Sequence, residues 1–169
     1  MKTVLAVLAL LSATVVSRLV GQEDGENARK TLAGLTRIYV VVEHVPDEAQ
    51  RDGLDTTLIQ TDVELKLRQA GITVLTQQEW LSTAAAPYLY VNVQVFKNPA
   101  KFYAYRATVE LRQRVTLVHD PSVSVLATTW SVPGTIGTVG SQKVGSVRED
   151  VRDLTDQFIN AYLAANPTR

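Results

Sequence analysis

Hydrophobic side chains recur along this chain with two periods, and the places where one period gives way to the other mark its elements. Arg37 to Val45 (RIYVVVEHV) is a β-branched run, apolar on both faces, which predicts a central strand closed by Pro46. Ile59, Val63, Leu67 and Ala70 then repeat at helical spacing, with Asp55 placed to cap the helix and Gly71 to stop it. Ile72 to Leu75 (ITVL) reads as a second, short strand. Strand, helix and strand within about forty residues predict a right-handed parallel crossover. Thr76-Gln77-Gln78-Glu79 has the form of a capping box and predicts a short helix that carries Trp80 and Leu81 and ends before Pro87.

From Tyr88 the period is two. Leu89, Val91, Val93 and Val95 fall on one face, and Tyr88, Tyr90, Asn92, Gln94 and Phe96 on the other. Lys97 to Lys101 is a turn, after which Tyr103, Tyr105, Ala107, Val109, Leu111, Val115 and Leu117 share one side of a strand from Phe102 to Leu117. Pairing Phe96 with Phe102 sets apolar residues against apolar residues throughout. His119-Asp120-Pro121-Ser122 is a turn signal of type I. Pairing Val118 with Val123 across it places Leu126 opposite Val115, Trp130 opposite Leu111 and Val132 opposite Val109. The middle strand would exceed the usual limit of about ten residues, so a bulge, a bend or a projecting hairpin is expected. Ser146-Val147-Arg148-Glu149 is a second capping-box signal, and Val147, Val151, Leu154, Phe158 and Tyr162 form the apolar stripe of a last helix ending at Asn166-Pro167. The expected fold is α+β: a two-layer sandwich with a mixed sheet, in which a β-α-β unit is followed by a three-stranded antiparallel meander. Its helices pack on one sheet face and leave the other open.

Composition adds the compartment. Lys2 followed by the thirteen-residue apolar run Val4 to Val16, broken by Ser17 and Arg18, is the pattern of a secretory signal peptide and too short for a membrane span. Small residues allow cleavage after Ala13, Ser17 or Gly21; the last would remove Lys2 and Arg18 and leave 15 basic against 17 acidic side chains. The expected organisation is a signal peptide over residues 1–21, a polar flexible leader over 22–30 (from Gln22), and one domain over 31–169. That places the protein outside the cytoplasm, in the periplasm or beyond, with no membrane span after cleavage. The whole chain of 169 residues is 46% hydrophobic and carries 17 basic and 17 acidic residues, which fits one domain with its own core and gives no basic excess for nucleic acid. It has no cysteine, so an exported fold must stand without disulfides.

The phrases TDVELKLRQAGITVL (61–75), PYLYVNV (87–93), VELRQRV (109–115) and DQFINAYLAANP (156–167) resemble a family of small exported bacterial proteins to which no motif assigns an activity. The order of elements is similar, more distantly, to the N-terminal domain of TolB and to small envelope lipoprotein domains. The chain departs from the lipoproteins in lacking a lipobox cysteine, so the likeness implies fold alone.

Candidate chemistry is sparse. His44 and His119 are the two histidines, and the metalloprotease, nucleophile-elbow and phosphate-loop motifs are all missing. Glu149, Asp150, Asp153 and Asp156 lie in the first turns of the last helix, where acids oppose the positive end of the dipole, so they are not read as metal ligands. Gly134, Gly137 and Gly140 (PGTIGTVG) read as a flexible return loop before that helix, with ligand or partner contact as the lesser reading. The open sheet face carries the strongest signal: Tyr88, Tyr90, Asn92, Gln94 and Phe96 facing Arg106, Arg112 and Arg114, the aromatics and arginines that interface centres favour. The expectation is therefore a non-enzymatic binding or assembly module of the cell envelope without cofactor. Its partner would be an envelope protein or a second copy. A small-ligand or glycan binder using tyrosine stacking is the alternative.

Overall fold

The β-branched run predicted to be central forms strand β1 (Arg37–Val42), flanked on both sides and parallel to both neighbours, β2 (Thr73–Leu75) and β3 (Tyr88–Asn98). Strand β3 pairs antiparallel with β4 (Phe102–Thr116), and β4 with β5 (Ser124–Ser131), giving the order β2-β1-β3-β4-β5. A sixth strand, β6 (Thr135–Gly140), pairs with the first half of β4 along the edge that β5 occupies further on. The computed structural model describes residues 25–167, so the signal peptide expected over residues 1–21 lies outside the described residues. Helices are α1 (25–30), α2 (Asp47–Arg51), α3 (Thr56–Gln69), α4 (Gln77–Ser82) and α5 (Val147–Ala165), the last preceded by a 3-10 turn, Ser141–Ser146.

The two long helices supply the second layer. Ile59, Val63 and Leu67 of α3 and Val147, Val151, Leu154 and Phe158 of α5 are buried with Ile38, Val40, Leu89, Val91, Val109 and Leu111 of the sheet. These are the residues that helical and strand periodicity select, and the architecture is an α+β sandwich with a mixed, open sheet. Phe158 meets Trp130 edge to face at 5.2 Å between ring centres, a geometry worth about 0.5–1.5 kcal/mol beyond its burial. Two ion pairs tie α3 to α5: Arg148 donates to Asp62 at 2.7 Å and Lys66 to Asp156 at 2.6 Å.

Local signals acted where their backbone allowed. Asp55 caps α3 by accepting from the Thr57 and Leu58 amides, and Thr76 and Glu79 make both bonds of their capping box at α4. The second box is not formed. Ser146 has φ −70 and ψ −15, because the 3-10 turn runs straight into α5, and a residue in helical conformation cannot turn its side chain onto the following amides.

Several pairings differ from the expected ones. The β3–β4 register sets Asn98, not Phe96, opposite Phe102. The turn is only three residues long, Pro99 to Lys101, with Lys101 at φ +62 and its amide bonded to the Asn98 carbonyl, so Lys97 and Asn98 remain in the strand. A slip of two keeps every side chain on its face, and the faces are as expected. Trp130 does lie opposite Leu111, but Thr129 is then skipped as a bulge, so Leu126 faces Arg114 instead of Val115. Gln113 fixes that bulge by donating to the Thr129 hydroxyl at 2.8 Å and to the Thr31 carbonyl at 3.0 Å. Val132 follows the end of β5 and does not pair with Val109. Past the bulge the β4–β5 hairpin projects beyond the helices, and Val118, Val125 and Leu126 are exposed.

Two segments expected to lack structure have it. Residues 25–30, placed in the flexible leader, are helical, and Ala28 packs against the core. The glycine-rich segment read as a loop is β6: Gly137 and Gly140 are strand residues and Gly134 sits just before them. Two of the glycines, Gly134 and Gly137, serve close approach, while a Cβ at Gly140 would meet open space. A Cβ at Gly134 would lie 2.5 Å from the Ala107 carbonyl oxygen, and one at Gly137 2.7 Å from the Tyr105 hydroxyl.

Candidate functional site

Alternation along β1, β3 and β4 directs Tyr39, Tyr88, Tyr90 and Arg112 to the side of the sheet away from α3 and α5. This face is covered in part. The capped helix α4 lays Trp80 over its corner, stacked on Tyr39 at 5.1 Å and edge-on to Tyr88 at 5.7 Å, and the indole N–H donates to the Ala86 carbonyl at 2.9 Å. Tyr88, expected on the displayed face, is buried beneath it.

Tyr90 is next along the ladder, 6.5 Å from Tyr88 between ring centres. Its hydroxyl donates to Glu43, and that bond, with partial burial second, raises its pKa above the usual tyrosine value. The Arg112 guanidinium lies 3.7 Å from the centre of the Tyr90 ring and donates to Glu110 at 3.1 Å. The Thr128 hydroxyl donates to the same Glu110 oxygen at 3.0 Å. The middle of the face is thus a self-satisfied polar network. Beside it Tyr90, Asn92, Gln94, Arg106, Thr108, Glu110 and Arg112 line a shallow polar depression of about 130 Å³.

The outer third of the face differs. Register places Phe96 beside Ala104, and Ile136 of β6 beside Arg106. Phe96 is 70% exposed, Ile136 78% and Phe102 40%, and Arg106 has no carboxylate partner among the described residues. Arg114 lies apart from this group, in a crevice of about 350 Å³ between α4 and the projecting hairpin, with Trp80, Leu81 and Leu126.

Of the expected site residues, Tyr90, Asn92, Gln94, Arg106 and Arg112 are together; Tyr88 is covered, Phe96 is at the outer end and Arg114 is beyond the network. Gly134, Gly137 and Gly140 shape the edge strand. Reading the chain missed Glu43 and Ile136. The alternation Thr135, Ile136, Gly137, Thr138, Val139 could have marked Ile136 as a strand residue, had its glycines not been read as a break.

Of the carboxylates expected in the first turns of α5, Asp150 accepts from the Tyr105 hydroxyl at 2.6 Å, while Asp156 lies in the middle of the helix and pairs with Lys66. The bond to Asp150 and, second, burial push the Tyr105 pKa up to about 12. His44 is exposed beside Asp47 at 3.4 Å, and His119 is exposed in the hairpin turn. No group of three or more possible metal ligands occurs among the described residues.

No protein-family model and no curated protein matches this chain. Similar solved structures include a minor lipoprotein from Acinetobacter baumannii, at 11% identity and TM-score 0.35, covering 78% of this chain and 93% of that one. A PelC dodecamer from Paraburkholderia phytofirmans is similar at 18% identity and TM-score 0.40, over 80% of this chain and 90% of that one. A neuraminyllactose-binding hemagglutinin homologue from Helicobacter pylori is similar at 8% identity and TM-score 0.29, over 76% and 86%.

Proposed function

We propose that this protein is an exported, non-enzymatic binding module of the bacterial envelope whose contact surface is the outer third of its open sheet face. The partner is an envelope protein or a second copy of the chain. The observation that carries the reading is the exposure of Phe96 and Ile136 on either side of Arg106, which has no carboxylate partner among the described residues: an aromatic, an aliphatic and an arginine on one sheet face. Export rests on the charged and apolar pattern of residues 1–21. The glycan alternative loses support at its platform, since Trp80 covers Tyr88 and Arg112 covers the Tyr90 ring.

The test combines Phe96→Ser with Ile136→Ser. Both side chains stand in solvent, so the fold should be kept, while removal of interface anchors costs about 2 kcal/mol or more of binding. The tagged wild-type protein is expected to retain a defined partner from envelope extract, or itself, and the double variant to lose it. A folded double variant that retains the same partner at full affinity overturns the reading. A thermal shift produced by small glycans would favour the alternative.

A further inference from the structure

A strand at the edge of a sheet presents a row of unpaired N–H and C=O groups, and proteins blunt such rows with charges, prolines or a covering element. The β2 edge is only three residues long. At the other side, the β5 edge is flanked by α1, with Gly25 and Ala28 beside Thr128 to Ser131 and the Thr31 hydroxyl 3.2 Å from the Thr129 carbonyl. Strand β6 has none of these devices among the described residues: TIGTVG contains no charge and no proline. The Ser141 amide donates to the Lys101 carbonyl at 3.0 Å, and antiparallel ladders alternate. Hence Thr135, Gly137 and Val139 direct their main-chain groups at β4, and Ile136, Thr138 and Gly140 direct theirs outward.

We propose that β6 pairs edge to edge and antiparallel with β6 of a second copy of this chain, joining two sheets about a two-fold axis. Charge favours that occupant. In two-fold pairing the residue on the axis meets its own copy, so a charge there would meet its like, and this strand has no charged residue. Register favours it too. With Thr138 opposite Thr138, the outward groups of Ile136 meet those of Gly140 of the second copy, and all three outward residues are bonded reciprocally. That glycine carries no side chain, and Phe102 is its neighbour on β4, so the exposed Ile136 would cover the gap beside Phe102 of the second copy. The proposal goes beyond the face described above, because it uses main-chain groups on the edge.

The experiment is sedimentation of the full chain over a range of concentrations, with amide exchange measured alongside. A concentration-dependent dimer is expected, in which the Ile136, Thr138 and Gly140 amides gain protection on dimerisation while those of Thr135, Gly137 and Val139 do not change. Thr138→Pro removes one outward N–H and no bond to β4, and should give a monomer at every concentration. Thr138→Val should keep the dimer. Should the proline variant fail to fold, the wild-type exchange pattern decides. Phe96→Ser leaves β6 whole, so a dimer that persists in it while partner binding is lost separates the edge from the face. A wild-type monomer at all concentrations, a dimer that survives Thr138→Pro, or protection of the three amides that appears only when another protein is added, overturns the proposal.

Discussion

On one face of β3 and β4, Val91, Val93, Val109 and Leu111 are buried under two helices; on the other, residues one position along satisfy one another. The strands are the same and the period is two on both faces, so the difference lies in what each side chain can do for its neighbours. An aliphatic residue is removed from water only by a covering layer. Tyr90 is partly removed by Arg112 on its ring and Glu43 at its hydroxyl, with no layer above it. Alternation therefore identifies the two faces and fails to say how open the second one is.

The largest test of this contrast lies on the covered face. Phe158 is fully buried in the middle of α5 with its ring edge-on to Trp130. Truncation to Ala removes the ring and leaves a cavity, and should cost about 3–5 kcal/mol. Denaturant unfolding of Phe158→Ala measures it, and unchanged stability would contradict the packing of α5 on the sheet.

How far the chain could be read follows the same division. The central place of β1, the stripes of α3 and α5 and the faces of β3 and β4 were legible, because each is set by an apolar period over many residues. The β3–β4 register was missed by two, since the turn that sets it depends on Lys101 adopting a conformation rare outside glycine. The short helix α2, which begins right after Pro46, has one buried residue, Ala49, and shows no periodic signal. At the candidate site, the tyrosines and arginines were visible as residues, but their pairing was not, because Trp80 reaches Tyr88 and Glu43 reaches Tyr90 only through the order of the strands.

A second test lies where β6 crosses β4. A Cβ at Gly137 would lie 2.7 Å from the Tyr105 hydroxyl, so Gly137→Ala must shift that ring, whose hydroxyl donates to Asp150. Overpacking of this kind costs about 1–3 kcal/mol, readable in the thermal midpoint. The same bond gives an alkaline signature. The folded Tyr105 pKa is raised to about 12 from an unfolded value near 10, so the fold favours the neutral phenol. The stabilisation is complete below about pH 10 and is lost as pH rises to about 12. A phenolate titration should show this late step in the wild type and lack it in Tyr105→Phe.

The two capping-box sequences provide a smaller test, this time of local signals. Thr76→Ala should cost about 1 kcal/mol, because the hydroxyl accepts from the Glu79 amide. Ser146→Ala should cost far less, since Ser146 makes no capping bond in its helical conformation. Equal losses in parallel unfolding curves would mean that the second box forms after all.

The smallest effect belongs to the open face. Phe96 and Ile136 leave 70% and 78% of their surface in water, and no described residue covers them. Folding removes little of their apolar area, so Phe96→Ser and Ile136→Ser should each change stability by no more than about 0.5 kcal/mol. Tyr90→Ala sits two positions from Asn92 on the same strand and should behave differently, because it takes away the Glu43 bond and the ring under Arg112 and leaves a guanidinium half-buried without its platform. A cation over an aromatic face contributes about 0.5–1 kcal/mol when exposed and more as it is desolvated. Denaturant curves of the three variants should therefore separate them, with Tyr90→Ala the least stable. If Phe96→Ser or Ile136→Ser proves as costly as Tyr90→Ala, something covers the outer third of the face in the folded protein, and the difference between the two parts of that face does not exist in solution.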